Sequence, residues 1–137
     1  MRIVDFIEGL KAWRFTRARA IDLTVDLIAV LLYECVARPY YRPYIYSQGI
    51  NDFHIADTLG NSLGTIATVF FFLFLLGGET KRDIFLINMI TLSVAVYELA
   101  HPLLGKSIDP WDLAATILSG GICHLIYRSV SRISPTV

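Results

Sequence analysis

TLGNSLGTIATVFFFLFLLGG, residues 58–78, contains no charged side chain, and its second half, VFFFLFLL (69–76), is wholly apolar. A helix needs about 20 mostly apolar residues to cross the roughly 30 Å hydrocarbon core of a bilayer. The stretch therefore reads as a membrane span. A soluble bundle would have to hide all of VFFFLFLL, and a chain of 137 residues has little interior to hide it in.

Working outward, three further apolar segments are weaker. Residues 84–97 are uncharged between Asp83 and Glu98, and residues 113–127 are uncharged between Asp112 and Arg128. Ala20 to Ala37 is apolar apart from Asp22, Asp26 and Glu34. Each alone also suits a soluble core helix; beside one clear span, four spans is the economical reading. Composition agrees: 55% of residues are hydrophobic and mean hydropathy is +0.56, above the usual soluble range of about 45–50% apolar residues. The expected fold is all-α, a four-helix transmembrane bundle over residues 20–137.

Residues 1–19 are expected to form an amphipathic helix, because Ile3, Phe6, Ile7, Leu10 and Trp13 share one helical face. That pattern suits a helix lying on a membrane surface, and equally a cytosolic helix packed on its own bundle. Its dispersed Arg and Lys residues, with no small-residue cleavage site after them, do not read as a signal peptide.

Charge orients the spans. Lys and Arg concentrate on the cytoplasmic side of membrane proteins. Arg2, Lys11, Arg14, Arg17, Arg19, Lys81, Arg82, Arg128 and Arg132 fall on one side of a four-span thread, against Arg38, Arg42 and Lys106 on the other. Both termini are thus expected in the cytoplasm. Lys+Arg 12 balances Asp+Glu 12, so nothing favours nucleic acid. Cys35 and Cys123 fall at different depths, beyond disulfide reach, and read as packing residues.

A shift of 64 residues matches Val30, Tyr33 and Glu34 with Val94, Tyr97 and Glu98, each copy with a proline soon after (Pro39, Pro102). A shift of 55 matches Asp57 and Leu63 with Asp112 and Leu118, and sets Gly60 and Gly64 opposite Ala115 and Ser119. The difference is a longer first loop carrying RPYYRPYIY (38–46). Two parallel helix-hairpin repeats, about 20–78 and 83–128, follow from this reading. They bring Glu34, Asp57, Glu98 and Asp112 to the outer face together. Asp57, Asn61 and Gly64 share one helical face, as do Asp112, Thr116 and Ser119. The small-residue stripes predict that the second and fourth spans meet centrally.

HIADTLGNSLG (54–64) and DPWDLAATILSG (109–120), with ELAH (98–101) upstream, resemble the VanZ-like family of small bacterial membrane proteins. That family carries a glutamate near one helix end and D-x-x-D-x-x-x-N-x-x-G at the next helix start. Asp57, Asn61 and Gly64 match its latter half, with His54 where the first aspartate would stand. Asp109 and Asp112 match its first half, but Thr116 and Ser119 replace the asparagine and glycine. Glu98 matches the glutamate, while His101 stands where the family often has glutamine. The resemblance covers roughly residues 24–128 and implies a multi-pass protein of the bacterial cytoplasmic membrane, connected with the cell envelope or with glycopeptide (teicoplanin-type) resistance. It supplies no reaction.

The candidate ligand-binding residues are Glu34, Asp57, Asn61, Glu98, His101, Asp109, Asp112 and Thr116. Each has a plainer reading. Asp109-Pro110-Trp111-Asp112 is a good helix start, where an acid is favoured by the helix dipole, and Asp57 is similar. Glu34 and Glu98 lie at helix C-terminal ends, where the dipole disfavours them, but Arg38 and His101 stand one turn on as local partners. Otherwise the carboxylates share a proton or hold a cation or a ligand's ammonium group. Asp26 and His124 fall at comparable depth and are expected to pair. RPYYRPYIY reads as an interfacial tyrosine anchor before it reads as a lid.

No nucleophile–base set, phosphate loop or zinc spacing occurs, no cofactor is implied, and the sequence does not say whether the acids hold a metal. The first functional reading is an envelope protein whose acidic pocket recognises a polar or cationic group of a lipid or antibiotic. The second is a small proton- or cation-coupled transporter or channel, helped by homo-oligomerisation. The third is a membrane enzyme acting on a lipid-linked substrate through Glu98 and Asp112.

Overall fold

A computed structural model describes residues 2–133, with side chains through residue 130. Residues 134–137 and the side chain of Arg132 lie outside that description. Among the described residues all regular structure is helical and no strand occurs.

Helix α1 (Ile3–Lys11) is followed by a short link, and α2 (Arg17–Leu31) begins at Thr16, whose hydroxyl accepts the Arg19 backbone N–H at 3.2 Å. α2 continues without a break into a π-helical stretch, Leu32–Tyr41, and then α3 (Arg42–Gln48). The two long apolar helices are α4 (Ile55–Leu76) and α6 (Pro110–Ile133), separated by α5 (Thr80–Leu99) and a 3₁₀ turn at His101–Leu104. The RPYYRPYIY segment, expected as a loop, is therefore helical. Pro39 has no N–H to donate back to Cys35, and its ring would clash with that carbonyl in an α-turn. Widening to π geometry lets the helix pass through the proline.

α4 is the central element, packing against α2, α5 and α6, while α6 lies along α4 and α5 and only grazes α2. The core is Val69, Phe70 and Leu73 of α4 with Leu86, Ile87 and Cys123 from the helices beside it. Cys123 is thus a packing residue; Cys35 is exposed, and both thiols are free. The small-residue stripe on α4 splits in function. Ala56 is buried, but Gly60 makes room for Tyr33, whose hydroxyl would lie 3.2 Å from any added Cβ, and Gly64 faces open space.

The residues around the core are largely apolar as well. In the apolar window of α4 only 22% is buried inside the chain, and in that of α6 only 28%. α4 and the Pro110–Val130 part of α6 are long and apolar enough to cross a membrane. Phe71, Phe72, Leu118 and Leu125 point away from the bundle, so its exterior is apolar well beyond scattered single residues.

Two polar devices tie the end of α4 to its neighbours. The Arg19 guanidinium donates to the carbonyls of Phe74 (2.7 Å), Leu75 (2.9 Å) and Gly77 (3.0 Å), the carbonyls that α4 leaves unsatisfied at its C-terminus. It also lies 5.0 Å over the Trp13 ring, which packs edge-on against Phe74. Trp13 falls beyond the end of α1 and turns into this contact, so it does not continue the apolar face of that helix. Nearby, Asp83 accepts the Gly78 N–H at 3.0 Å and the Tyr127 hydroxyl at 2.8 Å, joining α5 to α6. We expect Arg19→Ala to destabilise the fold by about 2 kcal/mol in chemical unfolding followed by helical circular dichroism, through loss of charge-assisted hydrogen bonds. Arg19→Lys should recover under half of that, since an ammonium lacks the planar fork that spans three carbonyls.

Candidate functional site

The acidic motifs meet where α5 ends and where α4 and α6 begin. Glu98, in the last turn of α5, is 2% exposed. Its Oε1 accepts the Asn61 side-chain amide of α4 at 3.0 Å. Its Oε2 is enclosed without a hydrogen-bond partner. The His101 Nδ1 stands 3.3 Å from that oxygen, close enough for an ion pair when the ring is protonated but outside hydrogen-bond geometry. A buried carboxylate oxygen left in this state is unusual, because lost solvation is ordinarily replaced by a donor.

A wetter half lies beside this buried half. Asp57, in the first turn of α4, accepts the Tyr46 hydroxyl of α3 and lies 3.2 Å from His54 Nδ1. The His54 ring stacks on Trp111 of α6, with centroids 4.5 Å apart and planes at 18°. Phe53 and His54 both take left-handed backbone conformations, φ 58° and 63°, which non-glycine residues adopt at some expense. Asn51 Oδ1 accepts the Phe53 N–H at 3.1 Å, and Asp52 Oδ2 accepts the Ala56 N–H at 2.8 Å. These bonds and the Trp111 stack hold the turn. Asp52, not Asp57, thus occupies an orphan N–H at the start of α4, which frees the Asp57 carboxylate for Tyr46 and His54.

Asp112 connects the halves: it is close enough to interact electrostatically with Asp109, Glu98, His101 and Asp57. Asp109 accepts the Trp111 N–H at 2.9 Å and so caps α6. Thr116 is fully buried, and its hydroxyl bonds back to the Asp112 carbonyl at 2.9 Å. Glu34 stands apart. It is exposed and bonds to Arg38 Nη1 at 3.1 Å, one turn on in the same helix. The reason is helical phase. Tyr33 points at Gly60 of α4, and successive residues in this π-helical stretch differ by roughly a quarter turn, so Glu34 turns away. In the matching positions of α5 the roles exchange: Glu98 is buried and Tyr97 is exposed, edge-on to His101 at 5.1 Å.

His124 Nε2 contacts Asn88 Oδ1 of α5 at 2.8 Å, not Asp26, because α6 faces α5 and barely touches α2. Tyr46, Trp111 and Arg42 complete the site, the last donating to the Tyr33 hydroxyl at 3.2 Å. The proline-tyrosine run hinted at them, but no local pattern pairs Tyr46 with Asp57 or Trp111 with His54. Among the described residues no group of three or more His, Cys, Asp or Glu could hold a metal ion. Chemically, the arrangement offers a buried carboxyl group with one enclosed, unpartnered oxygen beside His101. Fold and site together define a class: an all-helical protein with two helices apolar enough for a membrane and a carboxylate site at the helix ends. Comparison with protein-family models, curated proteins and solved structures finds no match in any of the three.

Proposed function

We propose that this is an integral membrane protein of the bacterial cell envelope, similar to the VanZ-like proteins, whose outer-face pocket recognises an ammonium or similar cationic group of a lipid or glycopeptide. The carrying observation is the Glu98 Oε2 atom, buried and without a hydrogen-bond donor beside Asn61, His101 and Asp112. A cationic N–H donor is what such an oxygen lacks, and a charge-assisted hydrogen bond is about twice as strong as a neutral one. In this reading α2 with its π-helical extension, α4, α5 and α6 cross the membrane and both termini are cytoplasmic. The outward apolar side chains and the nine-to-three division of Lys and Arg support it.

Two measurements test it. A membrane-impermeant thiol reagent on intact cells should label exposed Cys35 and spare buried Cys123; labelling of Cys35 only after lysis sinks the orientation. Calorimetric titration of the detergent-solubilised chain with the glycopeptide teicoplanin, which carries an amine, should show binding that Glu98→Gln weakens by about tenfold or more. No difference between wild type and variant removes Glu98 from recognition.

A second reading, proton or cation coupling, draws on the polar pairs spaced along α5: Asp83 with Tyr127, Asn88 with His124, and Glu98 with Asn61. Ionisable groups within membrane helices commonly mark such paths. Proton flux into proteoliposomes that Glu98→Gln abolishes, with no teicoplanin binding, would put transport first.

A further inference from the structure

At the opposite end of the bundle a small cavity of about 30 Å³ lies between α1, the start of α2, the end of α4 and the start of α5. Asp5, Phe6, Leu10, Arg19, Leu75 and Arg82 line it. Arg82, one of the lining residues, has its Nε buried without a hydrogen-bond partner, and buried donors are ordinarily satisfied. Arg19 is held rigidly by three carbonyls and is near enough to Arg82 for the two charges to repel. The carboxylates nearby do not fill the role. Asp83 offsets part of the Arg82 charge, but its two oxygens accept from Gly78 and Tyr127 and not from Arg82. Asp5 lies 3.5 Å from Arg2. Asp22 offsets part of the Arg19 charge.

The space holds about one water-sized group, so it admits a single oxygen of a larger anion, not a whole headgroup. Its walls at Phe6, Leu10 and Leu75 are apolar, and α1 exposes Ile3, Val4 and Ile7 away from the bundle. Guanidinium donors beneath a helix with an outward apolar face match a molecule that joins phosphate to hydrocarbon. Arginine is also the side chain best suited to phosphate oxygens.

We propose that the Arg19–Arg82 cavity takes a phosphate oxygen of an anionic phospholipid, with the acyl chains beside the apolar residues of α1. The site rests on the membrane reading above, and it binds an anion where the outer pocket binds a cation. Anionic lipid on the cytoplasmic leaflet is the source that this location meets.

The test is native mass spectrometry of the full chain released from detergent containing dioleoylphosphatidylglycerol, dioleoylglycerol or inorganic phosphate. The expected result is one phosphatidylglycerol retained per chain, with retention reduced about tenfold by Arg82→Gln and largely kept by Arg82→Lys. Equal retention of the neutral diacylglycerol overturns the proposal on the wild-type protein alone, whether or not the variants fold. Phosphatidylglycerol retention indifferent to Arg82→Gln also overturns it. Inorganic phosphate bound in place of the lipid overturns the lipid assignment. Co-flotation of the chain with phosphatidylcholine vesicles tests the membrane reading separately. It should be unchanged in Arg82→Gln, so loss of lipid retention with intact flotation places any failure in this site.

Discussion

Replacing Glu98 with alanine is expected to lower unfolding stability by about 3 kcal/mol, because it leaves a buried amide without its acceptor and opens a cavity. The Asn61 amide would lose its acceptor at 3.0 Å, and His101 its neighbour at 3.3 Å. Glu98 is 2% exposed, so water cannot readily replace the lost side chain. Glu98→Gln keeps the shape and an acceptor for Asn61, and should cost under about 1 kcal/mol. Denaturant unfolding of the solubilised chain, followed by helical circular dichroism, separates the two variants. If glutamine proves as damaging as alanine, the negative charge itself holds the helix ends together. If neither matters, the buried network described here is not present in the folded protein. The glutamine variant is therefore the right tool for binding work, since it removes charge while sparing the fold.

Gly120→Leu should be comparably severe, about 3 kcal/mol, at the upper end for overpacking. Even a Cβ at this position would lie 2.5 Å from Thr91 Cγ2, 2.7 Å from its Oγ1 and 3.1 Å from its Cβ. Thr91 is not free to swing aside, because its hydroxyl donates to the Ile87 carbonyl at 2.8 Å. Gly120→Ala should cost about 2 kcal/mol for the same reason. The informative measurement is a double-mutant cycle. Thr91→Ala removes the two nearest atoms, so in the Gly120→Ala background it should recover at least about 1 kcal/mol. Strict additivity would mean that α5 and α6 do not approach as closely as the structure has them.

Much of the layout of the long helices was legible because each carries a local signal. The uncharged run at 58–78 marks α4, and Asp109-Pro110 marks the start of α6. Glu98 drew notice for a different reason: it is an acid at the end of an apolar helix with His101 one turn on, although nothing in the sequence paired it with Asn61. What escaped were contacts with no local trace. Arg19 meets carbonyls more than fifty residues away, and Gly120 meets Thr91 of another helix. The sequence repeat also misled at Glu34, because matching residues do not fix rotation about the helix axis. Likewise the depth argument paired His124 with Asp26, whereas only packing decides that α6 faces Asn88 of α5.

The π-helical stretch Leu32–Tyr41 has a consequence for how this chain can change. Removing a single residue from it would turn α3 by roughly a quarter turn, swinging Tyr46 off Asp57 although neither residue had been altered. Spacing here is as constrained as chemistry, so point changes in the segment are better tolerated than a one-codon loss.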